Sequence, residues 1–113
     1  MKYKMTVIGH VGSANLFTAD GKPTVLNIDI ATNSRVGDHE ITDWTHAKVW
    51  NERAVKIAPY VQKGALLLIE GRPEAKAYKR KDGSIAADLV LHASEVVFLS
   101  AKTAAKEGDE PEN

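Results

Sequence analysis

The 113-residue chain is long enough for one domain with a real core and too short for two. It has no cysteine, which excludes disulfides and thiolate chemistry, and its 15 basic residues offset its 15 acidic ones. The segment after Ser100 sets Glu107, Asp109, Glu110 and Glu112 against Lys102 and Lys106, so the body before it is mildly basic. No stretch approaches transmembrane length, and the short apolar run Met5 to Ile8 is too brief for a signal peptide. A soluble, cytoplasmic protein without a membrane role is the expectation.

Tyr3 to Val11 reads as a first strand, closed by Gly9 and Gly12, where a bulge or bend is permitted. Asp20-Gly21 marks a turn. Val25 to Thr32 then alternates, with Leu26, Ile28 and Ile30 expected inside and Asn27 and Asp29 outside. Asn33 to Glu40 is polar and predicts a loop, and Thr42 to Trp50 follows as the third strand. Asn51 suits an N-cap and Glu52 a first helical turn. Ala54, Val55, Ala58 and Val61 give a short helical stripe, which Pro59 splits into a helix and a turn and Gly64 stops.

Ala65 to Ile69 is a continuous apolar run and predicts a strand covered on both sides. Gly71 and Pro73 bend the chain into Glu74 to Arg80, where Lys76, Tyr78 and Arg80 share one face and Ala75 and Ala77 the other. Asp82-Gly83 is a second hairpin signal, with Lys79, Arg80 and Lys81 around its tip. Ile85 to Leu91 forms the last main strand, with Ala87, Leu89 and Leu91 on one face, and Val96 to Leu99 extends or follows it. Together these predict an all-β fold over residues 1–100: a five-stranded OB-fold barrel with one short helix between strands 3 and 4. Residues 101–113 lack apolar periodicity and predict a flexible acidic tail.

The third strand carries the chemistry. Period-two alternation places Trp44, His46, Lys48 and Trp50 on one face, opposite Asp43, Thr45, Ala47 and Val49. Tryptophan alone is as often core as surface, but a buried lysine needs a partner that this strand does not offer. Aromatic planes interleaved with cations suit a single nucleic-acid strand. Bases stack on the rings for roughly 1–3 kcal/mol each while cations follow the phosphates.

Several segments resemble the bacterial single-stranded DNA-binding protein family over Lys4 to Leu99. They are Val7-Ile8-Gly9-His10-Val11-Gly12, Ile28-Asp29-Ile30-Ala31-Thr32-Asn33, Thr42-Asp43-Trp44, Tyr60-Val61-Gln62-Lys63-Gly64 and Ile69-Glu70-Gly71-Arg72. No single segment is diagnostic; their order and spacing are. The resemblance implies stacking aromatics at Trp44, Trp50 and Tyr78. It also implies basic backbone contacts at Lys4, Lys63 and Lys76, a weaker one at His46, and a polar contact at Arg72. Lys63 taken alone also fits a solvated lysine before a glycine stop, and the basic hairpin around Arg80 either grips phosphate or merely solubilises an edge.

The departures are Val36 in place of a further stacking aromatic, Glu52 in place of a common lysine, and Thr45 in place of a histidine associated with the subunit interface. The Gly/Gln/Pro-rich linker and acidic-hydrophobic tip usual in the family are missing from the Glu110-Pro111-Glu112-Asn113 end, so recruitment of replication or recombination proteins through such a tip is not assumed. Pairing through the first strand implies a homo-oligomer, with a tetramer ahead of a dimer. Leu89-Val90-Leu91-His92-Ala93 also resembles primosomal replication protein N, a small dimeric relative.

Other classes fit less well. His10, His39, His46 and His92 lack metal-ligand spacing, and no nucleophile sits in a recognisable elbow. Neither enzymatic activity nor a cofactor or metal is expected. An OB-fold module for protein or sugar binding stays open, because fold does not dictate function. The reading that fits best is non-specific binding of single-stranded DNA during replication, recombination or repair, in the cytoplasm at the nucleoid.

Overall fold

The structure is a computed structural model and describes residues 4–100; the expected first residue of strand 1, Tyr3, and the expected tail lie outside the described residues. Five strands run β1 (Met5–Phe17), β2 (Val25–Val36), β3 (His39–Trp50), β4 (Leu66–Lys79) and β5 (Ile85–Phe98). Helix α1 (Asn51–Ile57) and a 3-10 turn (Ala58–Tyr60) lie between β3 and β4, as the sequence predicts, with Pro59 marking the division. The strands close into a barrel in the order β1-β2-β3-β5-β4. Pairing is antiparallel except between β3 and β5, which run parallel. No helix among the described residues is long and apolar enough to cross a membrane.

Alternation decides what fills the barrel. Leu26, Ile28 and Ile30 from β2, Val49 from β3, Leu67 and Ile69 from β4 and Leu91 from β5 are fully buried. Each such aliphatic side chain contributes about 1.5–3 kcal/mol by leaving water. Ala54 of α1 and Val61 join the same core. On β3, Thr45, Ala47 and Val49 point inward as expected, while Asp43 falls outside the core and is exposed.

Several sequence expectations need correction. β1 does not stop at Gly12 but passes through it to Phe17, with a register shift between Val11 and Ser13. Gly12 is thus the extra residue of a bulge, and beyond it Ala14 faces Ile28 and Ser13 faces Asp29. The expected loop Asn33 to Glu40 is mostly strand, since β2 and β3 stay paired to Val36↔His39 and only Gly37 and Asp38 turn. Polarity misled there, because a hairpin arm projecting from the barrel is wet on both faces. Asn51 does not cap α1 with its side chain. It takes a left-handed backbone (φ 61°) that turns the chain out of β3, and its N–H donates to the Thr24 carbonyl at 2.8 Å. Asparagine tolerates that conformation better than most residues.

Val55 is exposed rather than part of a buried stripe, and Gly64 (φ 92°) serves the turn into β4 rather than ending α1. The apolar run into Ile69 is not covered on both sides: Leu67 and Ile69 are buried while Leu66 and Leu68 are only partly so. β4 continues through Gly71 and Pro73 instead of bending away. Pro73 lies past the last β1–β4 pair of the described residues, Met5↔Gly71, and is paired with Leu91 of β5. The strand ends at Lys79, so Arg80 belongs to the hairpin turn and not to the face of Lys76 and Tyr78. Of the residues expected on one face of β5, Leu91 is buried, whereas Ala87 and Leu89 lie in the exposed half of the strand.

Candidate nucleic-acid interface

The outer surface of β2, β3, β5 and β4 is organised by register. Asn27 pairs with Lys48, Lys48 with His92, and His92 with Arg72. The next row runs Asp29, His46, Val90 and Glu74. Beyond it Ala31 pairs with Trp44, Asp88 with Lys76, and Ala86 with Tyr78. Trp44 and Asp88 line one shallow cavity with His46 and Val90, which ties the two halves together. The predicted Trp44, His46, Lys48, Trp50, Arg72, Lys76 and Tyr78 therefore occupy one continuous surface, although α1 and the 3-10 turn lie between β3 and β4 in the chain.

The aromatic residues are available. Trp44 is 58% exposed, Tyr78 45% and Trp50 37%, so none of the three is core. Trp50 is the last residue of β3, and its extended backbone (φ −109°, ψ 150°) keeps the indole on the strand's outer face before the chain enters α1. Its ring lies nearly parallel to that of His92, 14° between planes and 6.4 Å between centroids, and the Lys48 ammonium stands 5.9 Å from the ring. Trp44 leans over β1 where Gly12 offers no side chain. A Cβ there would lie 2.5 Å from the indole, so the bulge glycine makes room for the ring.

A polar network holds the charged groups in place. The His46 ring meets the Asp29 carboxylate through Nδ1 at 2.7 Å and the Asn27 side-chain oxygen through Nε2 at 3.3 Å. Lys48 donates to that same Asn27 oxygen at 2.8 Å, and Ser13 donates to Asp29 at 3.0 Å. Across the sheet, His92 Nε2 and the Glu74 carboxylate are 2.6 Å apart. The hydrogen bond from His92 holds the Glu74 carboxyl below its ordinary range, helped by the positive charges of Lys76 and Arg72.

The remaining predicted residues are placed differently. Lys4 sits at the β1–β4 seam, 3.5 Å from Glu70. Lys63 is on the turn whose Gly64 N–H donates to the Val11 carbonyl, beside the bulge and off the β3–β5–β4 surface. Arg80 is held in the β4–β5 turn, its backbone N–H donating to the Ser84 carbonyl at 2.8 Å. Sequence reasoning missed His92, Glu74 and Gly12 as parts of this surface. The outward parity of Asn27 and Asp29 is legible, but their bonds to His46 and Lys48 follow only from the β2–β3 register. His92 gives no local signal, because Val90 and Leu91 are both buried and hide the parity of β5.

The family model described as the single-strand binding protein family matches residues 3–99. The single-stranded DNA-binding protein of Chlamydia muridarum is 30% identical over 86 residues, which is 76% of this chain and 54% of that protein. That of Rhizobium meliloti is 34% identical over 90 residues, 72% of this chain and 51% of that protein. The chain spans about half the length of the curated relatives from Chlamydia that it matches. Among solved structures, the mitochondrial single-stranded DNA binding protein of S. cerevisiae superposes with a TM-score of 0.66 at 28% identity, covering 88% of this chain and 97% of that one. The Plasmodium falciparum SSB complex with ssDNA gives 0.68 at 22% identity, covering 86% and 94%. The barrel is an OB-fold, and the chain belongs to the single-strand binding protein family.

Proposed function

We propose that the chain binds single-stranded DNA without sequence preference, laying it across the outer surface of β3, β5 and β4. The observation that carries this reading is the co-location of three exposed aromatics with Lys48, Arg72 and Lys76 through sheet register. Trp44, Trp50 and Tyr78 stack bases, while the cations follow the phosphates. His46 lies between the two indoles. Lys4 and Arg80 extend the basic path at its margins, and Lys63 meets a strand that continues past the β1 bulge. Chemistry on the bound strand is not part of this role: the surface supplies rings and charges for holding DNA during replication, recombination or repair, in the cytoplasm at the nucleoid.

We further infer a homo-oligomer, with a tetramer ahead of a dimer. Along β1, β4 and β5, register aligns Ile8, Leu68 and Val97 into an apolar row with Ile8 50% and Val97 38% exposed. A second copy covering that row leaves the aromatic surface free. Replication or recombination proteins are further partners on this reading.

The test is solution mass, by light scattering, with and without oligo(dT). A multiple of the chain mass that takes up oligo(dT) but not duplex of equal length supports the reading. A chain that ignores oligo(dT) overturns it in favour of a protein-binding module, and a monomeric mass at micromolar concentration overturns the oligomer.

A further inference from the structure

The aromatic surface is close to neutral at high pH. Its fixed cations are Lys48 on β3 with Arg72 and Lys76 on β4, and interleaved with them are the carboxylates of Asp29 on β2, Glu74 on β4 and Asp88 on β5. The carboxylates oppose phosphate at the place where phosphate must pass. Two of them are bonded to histidines, Asp29 to His46 and Glu74 to His92.

The His46 ring is held between two side-chain oxygens. Both of its nitrogens face oxygens, Asp29 Oδ1 and Asn27 Oδ1, and a neutral imidazole can donate through only one of them. Asn27 cannot turn its amide nitrogen toward His46 without giving up the bond that its oxygen accepts from Lys48. Protonation therefore adds a hydrogen bond and a charge together. His92 sits beside the Trp50 indole, facing Lys48 from β3 and Arg72 and Glu74 from β4, with Arg53 of α1 reaching the same strand at the Ser94 carbonyl. As a ring nearly parallel to Trp50 it widens that stacking surface, and Glu74 orients it.

Resting on the single-strand reading above, we propose that the His46–Asp29 and His92–Glu74 pairs make the grip on DNA proton-sensitive, with His92 as a further stacking residue and Glu74 as its positioning residue. With both rings neutral, the two carboxylates stand against phosphate. With both protonated, each pair is neutral and the surface gains two positive charges. Each added phosphate contact steepens the salt dependence of binding by about 0.7 in the log–log slope, which is roughly five-fold in affinity for a ten-fold drop in salt.

Oligo(dT) is the probe, because thymine does not titrate between about pH 5.5 and 8. At about 0.1 M salt the affinity is expected to rise at least five-fold from the higher pH to the lower, with a steeper salt slope at the lower. His46→Asn and His92→Asn each remove part of this response, and the double variant removes it. Glu74→Gln is expected to tighten binding at the higher pH. In the free protein, Trp44→Phe leaves Trp50 as the reporter, and its emission is expected to fall on acidification because a protonated imidazole quenches a neighbouring indole. Binding that is intact but indifferent to pH, a pH response that survives in the double variant, or Trp50 emission that ignores acidification overturns the inference alone. No binding of oligo(dT) at either pH overturns the single-strand reading, and this inference with it.

Discussion

Two outer surfaces of one barrel come from the same alternation and have opposite chemistry. Across β1, β4 and β5 the outward row Ile8, Leu68 and Val97 is aliphatic and forms no side-chain hydrogen bonds. Across β2, β3, β5 and β4 the outward rows mix rings with charges, and three of those charges are held by a side-chain hydrogen bond: Lys48 by Asn27, Asp29 by His46 and Glu74 by His92. An apolar row gains by being covered with another apolar row. A surface of oriented rings and exchangeable ion pairs gains from a ligand that brings flat bases and anions. The barrel interior beneath both is the same set of aliphatic side chains, so the difference lies only in which residues the pleat turns outward.

The sharpest way to separate the two surfaces is to remove rings from one. Trp44→Ala, Trp50→Ala and Tyr78→Ala are each expected to weaken oligo(dT) binding by roughly 1–3 kcal/mol in equilibrium titrations while leaving circular dichroism and oligomeric mass unchanged. Loss of the fold in Trp50→Ala would instead make that ring structural. The complementary change is Ile8→Glu, which places a charge in the aliphatic row. It is expected to lower the solution mass at micromolar concentration while each barrel keeps its affinity for a short oligonucleotide. A mass equal to that of the parent chain would move the subunit interface elsewhere.

A smaller effect tests the link between β1 and the aromatic surface. Gly12→Ala puts a methyl group 2.5 Å from the Trp44 ring, so the ring must shift off the bulge. Binding is expected to weaken by less than Trp44→Ala itself, roughly two- to five-fold. Equal affinity would show that Trp44 works in more than one orientation. The smallest effect concerns the β4–β5 hairpin that carries Tyr78. The Ser84 backbone N–H and hydroxyl donate to the Asp82 carboxylate and hold its pKa below the ordinary 3.8. A depressed carboxylate stabilises the fold above its unfolded pKa and ceases to as pH falls through the folded value. Asp82→Asn is therefore expected to lower the thermal midpoint slightly at neutral pH and to match the parent chain once the pH has fallen through the depressed folded-state value.

Much of this was legible from period two alone. The alternation of Leu26, Ile28 and Ile30 against Asn27 and Asp29 identifies β2 and its core face, and the parity of Trp44 to Trp50 identifies the candidate surface. What stayed hidden is register and curvature. Gly12 permits a bulge, but nothing near it says that β1 continues through it to Phe17 and bends beneath an indole thirty-odd residues away. The parallel β3–β5 pairing that sets His92 opposite Lys48 joins segments separated by a helix and a whole strand, and no local pattern encodes it. The polar arm between β2 and β3 reads as loop because it has no buried face to impose alternation. Asn51 reads as a cap because its residue type suits both a cap and the left-handed turn that it makes.

The central claim is that bases stack on the indoles of β3. Its most direct measurement is the fluorescence of two single-tryptophan chains, Trp44→Phe and Trp50→Phe, titrated with oligo(dT) and with duplex of equal length. The account predicts strong saturable quenching of each remaining indole by the single strand and little by the duplex. Folded chains whose indoles ignore oligo(dT), or respond equally to duplex, would contradict it.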